Sequence, residues 1–116
     1  MRVVSFNARG RQNCAETAAG TFVYARTEQG SFVLPASCPH RGGPLHLGTI
    51  DPASNRLVCP WHGRGTTVTR WMSQAVPAVR RENTVTAVLP TPDPRYLRSH
   101  RPLSSDLDRV PRGAPA

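Results

Sequence analysis

Lysine is absent from this 116-residue chain: all fifteen basic residues are arginine, set against seven acids, for a formal net charge of +8. Residues 1–90 hold ten Arg and four acids and residues 91–116 five Arg and three Asp, so the two parts carry +6 and +2 and the excess sits mainly in the body. An Arg-, Pro- and Ala-rich composition of this kind is also what GC-rich coding produces. Aromatic residues make up only 6% of the chain, and the arginines are scattered rather than interleaved with them. That argues against a nucleic-acid surface. No apolar run approaches the length of a membrane span, and the first residues lack the apolar stretch of a signal peptide, so a soluble, cytoplasmic domain with no membrane contact is expected. Cysteine is limited to Cys14, Cys38 and Cys59. Two of these belong to the motifs described below, which leaves no internal structural disulfide. Cys14 reads as a small, partly buried hydrophobe rather than a redox group. A chain of this length is one small domain with few residues to spare for a core.

What is present reads as all-β. Met1-Arg2-Val3-Val4-Ser5-Phe6 predicts a first strand. Residues 21–26 and 31–34 are β-rich runs joined by a turn at Glu28-Gln29-Gly30, a hairpin signal that delivers the chain towards Cys38. Arg56-Leu57-Val58 predicts a short strand, Thr66-Thr67-Val68-Thr69 another, and residues 83–89 a last one that closes the body. Short strands separated by Gly/Pro turns predict a small antiparallel β-sandwich or barrel. From Pro90 onward the texture changes, since six of the twelve prolines fall there. Residues 91–116 are therefore expected to lack regular structure, as an extended strap or a disordered end. Within them, Ser104-Ser105-Asp106-Leu107-Asp108 has the residues to cap one helical turn. There is no internal repeat.

Two stretches carry the chemistry. The first is Cys38-Pro39-His40-Arg41-Gly42-Gly43-Pro44-Leu45; the second, beyond an 18-residue spacer (41–58), is Cys59-Pro60-Trp61-His62-Gly63. Each offers one thiolate and one imidazole. Four such ligands on two tight loops form a metal site, and two of each type point to an asymmetric one. A tetrahedral S₂N₂ zinc site remains open on the ligands alone. Cys-x-His is an unusual zinc spacing, however, and the flanking Pro and Gly residues have no role in a zinc ribbon. Pro39 and Pro60 restrict φ and offer no competing donor. Gly42, Gly43 and Gly63 allow the backbone to pass close to a bound group.

The pattern resembles the Rieske family, in which one iron of a [2Fe–2S] cluster takes two Cys and the other two His. The resemblance covers about residues 20–90 and is highly specific only at the two loops. It implies a Rieske [2Fe–2S] domain over 1–90, with a cluster-binding subdomain at about 36–78, followed by the tail at 91–116. It implies that Cys38 and Cys59 hold the inner iron, and that His40 and His62 hold the outer, solvent-facing one. Trp61 would shield one side of the cluster from water, and Pro77, in Ala75-Val76-Pro77-Ala78, would belong to a third covering loop. With two His in place of two Cys the oxidised centre is neutral rather than doubly negative, which raises its potential. Each imidazole also keeps a titratable N–H, so reduction can be coupled to proton uptake. A cluster tying two loops together would offset the small core, and the apo-protein is expected to be unstable.

Several positions depart from the family's high-potential members. Those carry a disulfide where this chain has Gly43 and Trp61, and a Ser and a Tyr near the sulfurs where this chain has Arg64 and Thr66. An aromatic-acidic pair common after the second loop is replaced by Thr66-Thr67. The spacer is slightly long, which predicts an extended turn around Asp51-Pro52-Ala53-Ser54-Asn55.

The function implied is that of a free-standing Rieske-type ferredoxin: a one-electron carrier, not itself an enzyme, taking electrons from a flavin-dependent ferredoxin reductase and passing them to an oxygenase. Arg41 and Arg64, close to the His ligands in sequence, would steer it to an acidic partner surface. The chain is not expected to be the oxygenase. A mononuclear iron site needs two further His and a carboxylate, and only His46, read as a loop side chain satisfied by backbone or water, and His100, read as solvated, remain. Two other readings stand: a small Rieske subunit of a larger reductase such as an assimilatory nitrite reductase, and a zinc-bound or cluster-free interaction module. Fewer hydrogen bonds to sulfur lower the potential, so redox titration should give a midpoint near the low end of the Rieske range, about −150 mV. A value well above zero would overturn that expectation.

Overall fold

A computed structural model describes residues 1–38, 42–61, 63 and 65–109. Ten strands and one short helix follow in the order β1 (Arg2–Asn7), β2 (Cys14–Thr17), β3 (Gly20–Thr27), β4 (Gly30–Pro35), β5 (Thr49–Asp51), β6 (Arg56–Val58), β7 (Gly65–Thr67), α1 (Val68–Gln74), β8 (Ala78–Arg81), β9 (Thr84–Leu89) and β10 (Tyr96–Ser99). They form three antiparallel sheets with strand orders β1-β9-β8, β10-β2-β3-β4 and β5-β6-β7. The architecture is thus mostly β and antiparallel, as the sequence predicts. No helix among the described residues is long and apolar enough to cross a membrane.

The four-stranded sheet is buried on both faces, and the period of two along its strands explains how. On β3, Phe22 and Tyr24 face one side while Val23 and Ala25 face the other; on β4, Val33 opposes Phe32 and Leu34. The Phe22–Val33 face packs against Val4 and Phe6 of β1 and Val85, Ala87 and Leu89 of β9. The opposite face packs against Leu45, Leu57 and Val68 and against Cys38 and Cys59. A second apolar layer is therefore built beside the cysteine loops, with the three-stranded β5-β6-β7 sheet and α1 over it.

The run Thr66-Thr67-Val68-Thr69 does not continue as a strand. β7 ends at Thr67, whose hydroxyl accepts from the Arg70 N–H at 3.3 Å and caps α1. Val68 is buried, and Trp71, Met72 and Ala75 pack on the same core, the i, i+3, i+4, i+7 spacing of a helix face. β-branched residues hid that face because their strand preference competes locally with it. The turn expected around Asp51 is present. The Asn55 N–H donates to the Asp51 carbonyl at 2.7 Å and the Asp51 carboxylate accepts from the Ala53 N–H and the Ser54 hydroxyl.

The segment after Pro90 is more regular than its composition predicts. β10 pairs with β2, from Tyr96 opposite Thr17 to Ser99 opposite Cys14, and a 3₁₀ turn covers Ser105–Leu107, where a single helical turn was expected. Prolines 90, 92, 94 and 102 lie outside the four residues that must donate to the ladder, so they punctuate the segment without breaking it. Between them the Asp93 carboxylate accepts from the Arg95 backbone N–H and from its guanidinium, which holds the carboxyl down to about 2. Asn13 then mimics a strand partner: its amide donates to the Arg101 carbonyl at 2.8 Å and accepts from the Arg101 N–H at 2.9 Å. Beyond it Leu107 is completely buried, in the same core as Cys38 and Cys59. Residues 110–116 of the expected tail lie outside the described residues.

Leu107→Ala should therefore cost about 2–5 kcal/mol in urea unfolding, as other buried leucines do. Leu97→Ala, at a side chain 70% exposed on β10, should change stability by less than about 0.5 kcal/mol.

Candidate metal centre

β4 and β6 are the two strands that feed the cysteines. β4 ends at Pro35, and an isolated bridge between Ser37 and Pro44 closes the base of the first loop. Inside it the Cys38 N–H donates to the Gly43 carbonyl and the Gly42 N–H donates back to the Cys38 carbonyl, both at 2.8 Å. β6 ends at Val58, and the Cys59 carbonyl accepts from the Gly63 N–H at 3.2 Å. Both loops thus close by one local device, a cysteine carbonyl bonded to the N–H of the glycine four residues on. Gly42 and Gly63 stand at φ +69° and +64°, the left-handed region that glycine enters without steric cost.

The loops touch. A Cβ placed on Gly43 would lie 2.7 Å from the Cys59 Sγ and 3.2 Å from Cγ of Trp61. Gly43 is therefore where the first loop's backbone passes against the second loop's thiol. Gly48 plays a similar part lower down, where a Cβ would lie 2.9 Å from the Val58 carbonyl. Cys38 and Cys59 are 7% and 1% exposed, and both are buried thiols. Two buried soft donors on adjoining loops, with glycine backbone where side chains would intrude, fit a thiolate-bound metal group.

His40 and His62, expected as the other two ligands, lie outside the described residues, as do Pro39, Arg41 and Arg64. Among the described residues no group of three or more His, Cys, Asp or Glu is gathered. Trp61 is 67% exposed, with the base of its side chain over Gly43. Pro77, assigned to a third covering loop, sits exposed between α1 and β8 with its carbonyl accepting from the Val88 N–H at 2.9 Å. Cys14 is buried on β2; burial pushes its thiol up, against the pull of the Ser99 hydroxyl and Arg101. His100 is exposed. His46 is buried, and its Nδ1 lies 2.7 Å from the Pro102 carbonyl, so it is satisfied by backbone as expected. Sequence reasoning did not find the support the first loop receives from residues 102–107. Its only signal was the Ser104-Ser105-Asp106 cluster, which shows a turn but not what the turn touches.

Comparison with known proteins agrees with this geometry. The model of the Rieske [2Fe-2S] domain family matches residues 4–90. A human Rieske domain-containing protein is 59% identical over 27 residues, a segment that spans 22% of this chain and 17% of that protein. No solved structure matches the chain.

Gly43→Ala tests the contact between the loops. The position has no left-handed backbone, so the cost is steric and should be about 1–3 kcal/mol in urea unfolding, with faster alkylation of Cys59 by iodoacetamide. Gly42→Ala meets no atom within 4 Å; its cost is the left-handed backbone alone, about 1–2 kcal/mol, and it should leave Cys59 better protected than Gly43→Ala does.

Proposed function

The chain belongs to the Rieske [2Fe-2S] domain family, whose cofactor is the Rieske-type cluster, and on that premise we propose that Cys38, His40, Cys59 and His62 are its four ligands. Cys38 and Cys59 would hold the inner iron, and His40 and His62 the outer one. When bound, the cluster supplies one-electron uptake and release, the iron–sulfur electron transfer of this family. The observation that carries the ligand assignment is the matched closure of the two loops, Cys38 to Gly42 and Cys59 to Gly63, with Gly43 against the Cys59 sulfur.

The residues of the chain then divide the work. The thiolates hold the inner side within the apolar layer of Leu45, Leu57 and Leu107, which excludes water there. His40 and His62 would hold the outer iron, and an imidazole N–H there would hold or release a proton as the charge changes. Trp61, exposed beside Gly43, offers the partner a flat apolar contact of the kind that dominates interface energetics.

We propose that the chain is a cytoplasmic carrier between a flavin-dependent ferredoxin reductase and an oxygenase. The support is the electron-transfer cofactor of the family and the excess of arginine, +8 over the chain, which favours an acidic docking surface. The dithionite-reduced protein should show a rhombic EPR signal with the low average g of a His-ligated cluster, and about two irons per chain. Cys59→Ser should lose the signal. Stoichiometric zinc, with no EPR signal after reconstitution with iron and sulfide, would overturn the reading. Electron transfer to the oxygenase should slow as salt rises, whereas a permanent reductase subunit would co-purify with its partner and show no such dependence.

A further inference from the structure

We propose that residues 102–109 act as a clasp on the first cysteine loop, and that His46 is the positioning residue that fastens it. A chain that has only to finish a strand could leave the body after Ser99. Here it returns instead across the loop side and makes a series of bonds to residues 46–50 and to the β3–β4 hairpin. The Pro102 carbonyl can only accept, so His46 Nδ1, 2.7 Å away, carries a proton and donates it. The Ser104 N–H donates to the His46 carbonyl at 3.0 Å, and its hydroxyl donates to the Gly48 carbonyl at 2.6 Å. The Asp106 carboxylate accepts from the Ile50 N–H at 2.8 Å. The far end is locked to the β3–β4 hairpin: Asp108 pairs with the buried Arg26, the Arg109 N–H donates to the Arg26 carbonyl at 3.1 Å, and the Arg109 guanidinium pairs with Glu28 at 3.3 Å.

His46 is the point where these bonds meet the cysteine loop. Its own N–H donates to the Ala36 carbonyl at 3.4 Å, two residues ahead of Cys38. It also sits in the 3₁₀ turn Leu45–Leu47 that follows Gly43 and Pro44. One residue therefore joins the entry of the first loop, its exit and the clasp. Leu103 packs from the clasp onto the core that contains Cys38 and Cys59, and Leu107 is buried within it. Opening the clasp would uncover the apolar floor of the loops and leave the Pro102 and Gly48 carbonyls without partners, so the bonds and the burial are lost together. For a chain that holds a cluster here, which rests on the function proposed above, a closed clasp means slower loss of that group.

The test is hydrogen exchange on the full-length protein as purified, comparing His46→Leu, His46→Asn and Ser104→Ala. His46→Leu should raise exchange of the amides of residues 42–48 and of Ser104 on the order of tenfold, with β1 and β9 unchanged. His46→Asn, whose Nδ2 can occupy the donor position, should restore protection. Ser104→Ala should give a smaller rise confined to the same amides, and it decides the matter if His46→Leu does not fold. In the same samples the visible absorbance of the cluster should bleach faster under EDTA in His46→Leu than in wild type. Unchanged exchange at residues 42–48, or an equal rise in β1 and β9, would overturn the clasp. A wild-type protein that binds no iron and sulfide would sink the cluster reading, while the exchange comparison would still decide the clasp.

Discussion

The approach of Gly43 to the Cys59 sulfur governs the loop end of this molecule. A Cβ at that position would stand 2.7 Å from Sγ, well inside van der Waals contact, so the two loops lie as close as a bare backbone permits. Each loop is closed on itself by a cysteine carbonyl bonded to a left-handed glycine. Those local bonds set the shape of each loop but not the distance between them. That distance comes from Gly43 and from the common floor of Leu45, Leu57 and Val68 beneath both cysteines. A wider separation would part the two thiols and open the floor to water at the same time.

The floor exists because the four-stranded sheet is apolar on both faces. A small chain has little interior to divide, and this one divides it into two layers that share β2, β3 and β4. The layer against β1 and β9 closes mostly with strands, with Ala8 and Val76 the residues it takes from outside them. The layer beneath the cysteines needs pieces from further along the chain: Trp71 and Met72 from α1, then Leu103 and Leu107 from beyond β10. The C-terminal segment is thus part of the wall of the candidate site, although it contributes no proposed ligand.

Charge follows the same division. Glu16, Glu28, Asp93, Asp106 and Asp108 each pair with an arginine, and three of them belong to the segment after Pro90. Most of these pairs are exposed and worth little individually. Arg26 differs, because its guanidinium is buried and burial works against its charge, so Asp108 is needed to offset that cost. With five of the seven acids engaged, arginines such as Arg11, Arg70, Arg81 and Arg98 stand exposed in solvent and set the positive field of the surface.

Sequence alone determined the class of fold, the β3–β4 hairpin, β6 and β9, and the two cysteine motifs, because each is announced by residues close together in the chain. Alternation shows a strand, Gly30 a turn, and Cys-x-His and Cys-x-x-His a ligand loop. It did not determine α1, because the β-branched run Thr66-Thr67-Val68-Thr69 at its start reads as a strand and hides the helical spacing of Val68, Trp71 and Met72. Nor did it determine β10, whose four residues are hidden among prolines. Least legible was the support of the first loop, where His46 meets Pro102 and Ile50 meets Asp106 across 56 residues in each case. Nothing local specifies such pairs. A carbonyl or a carboxylate accepts from any donor that reaches it, and only the closing of both layers of the core decided which donors those were.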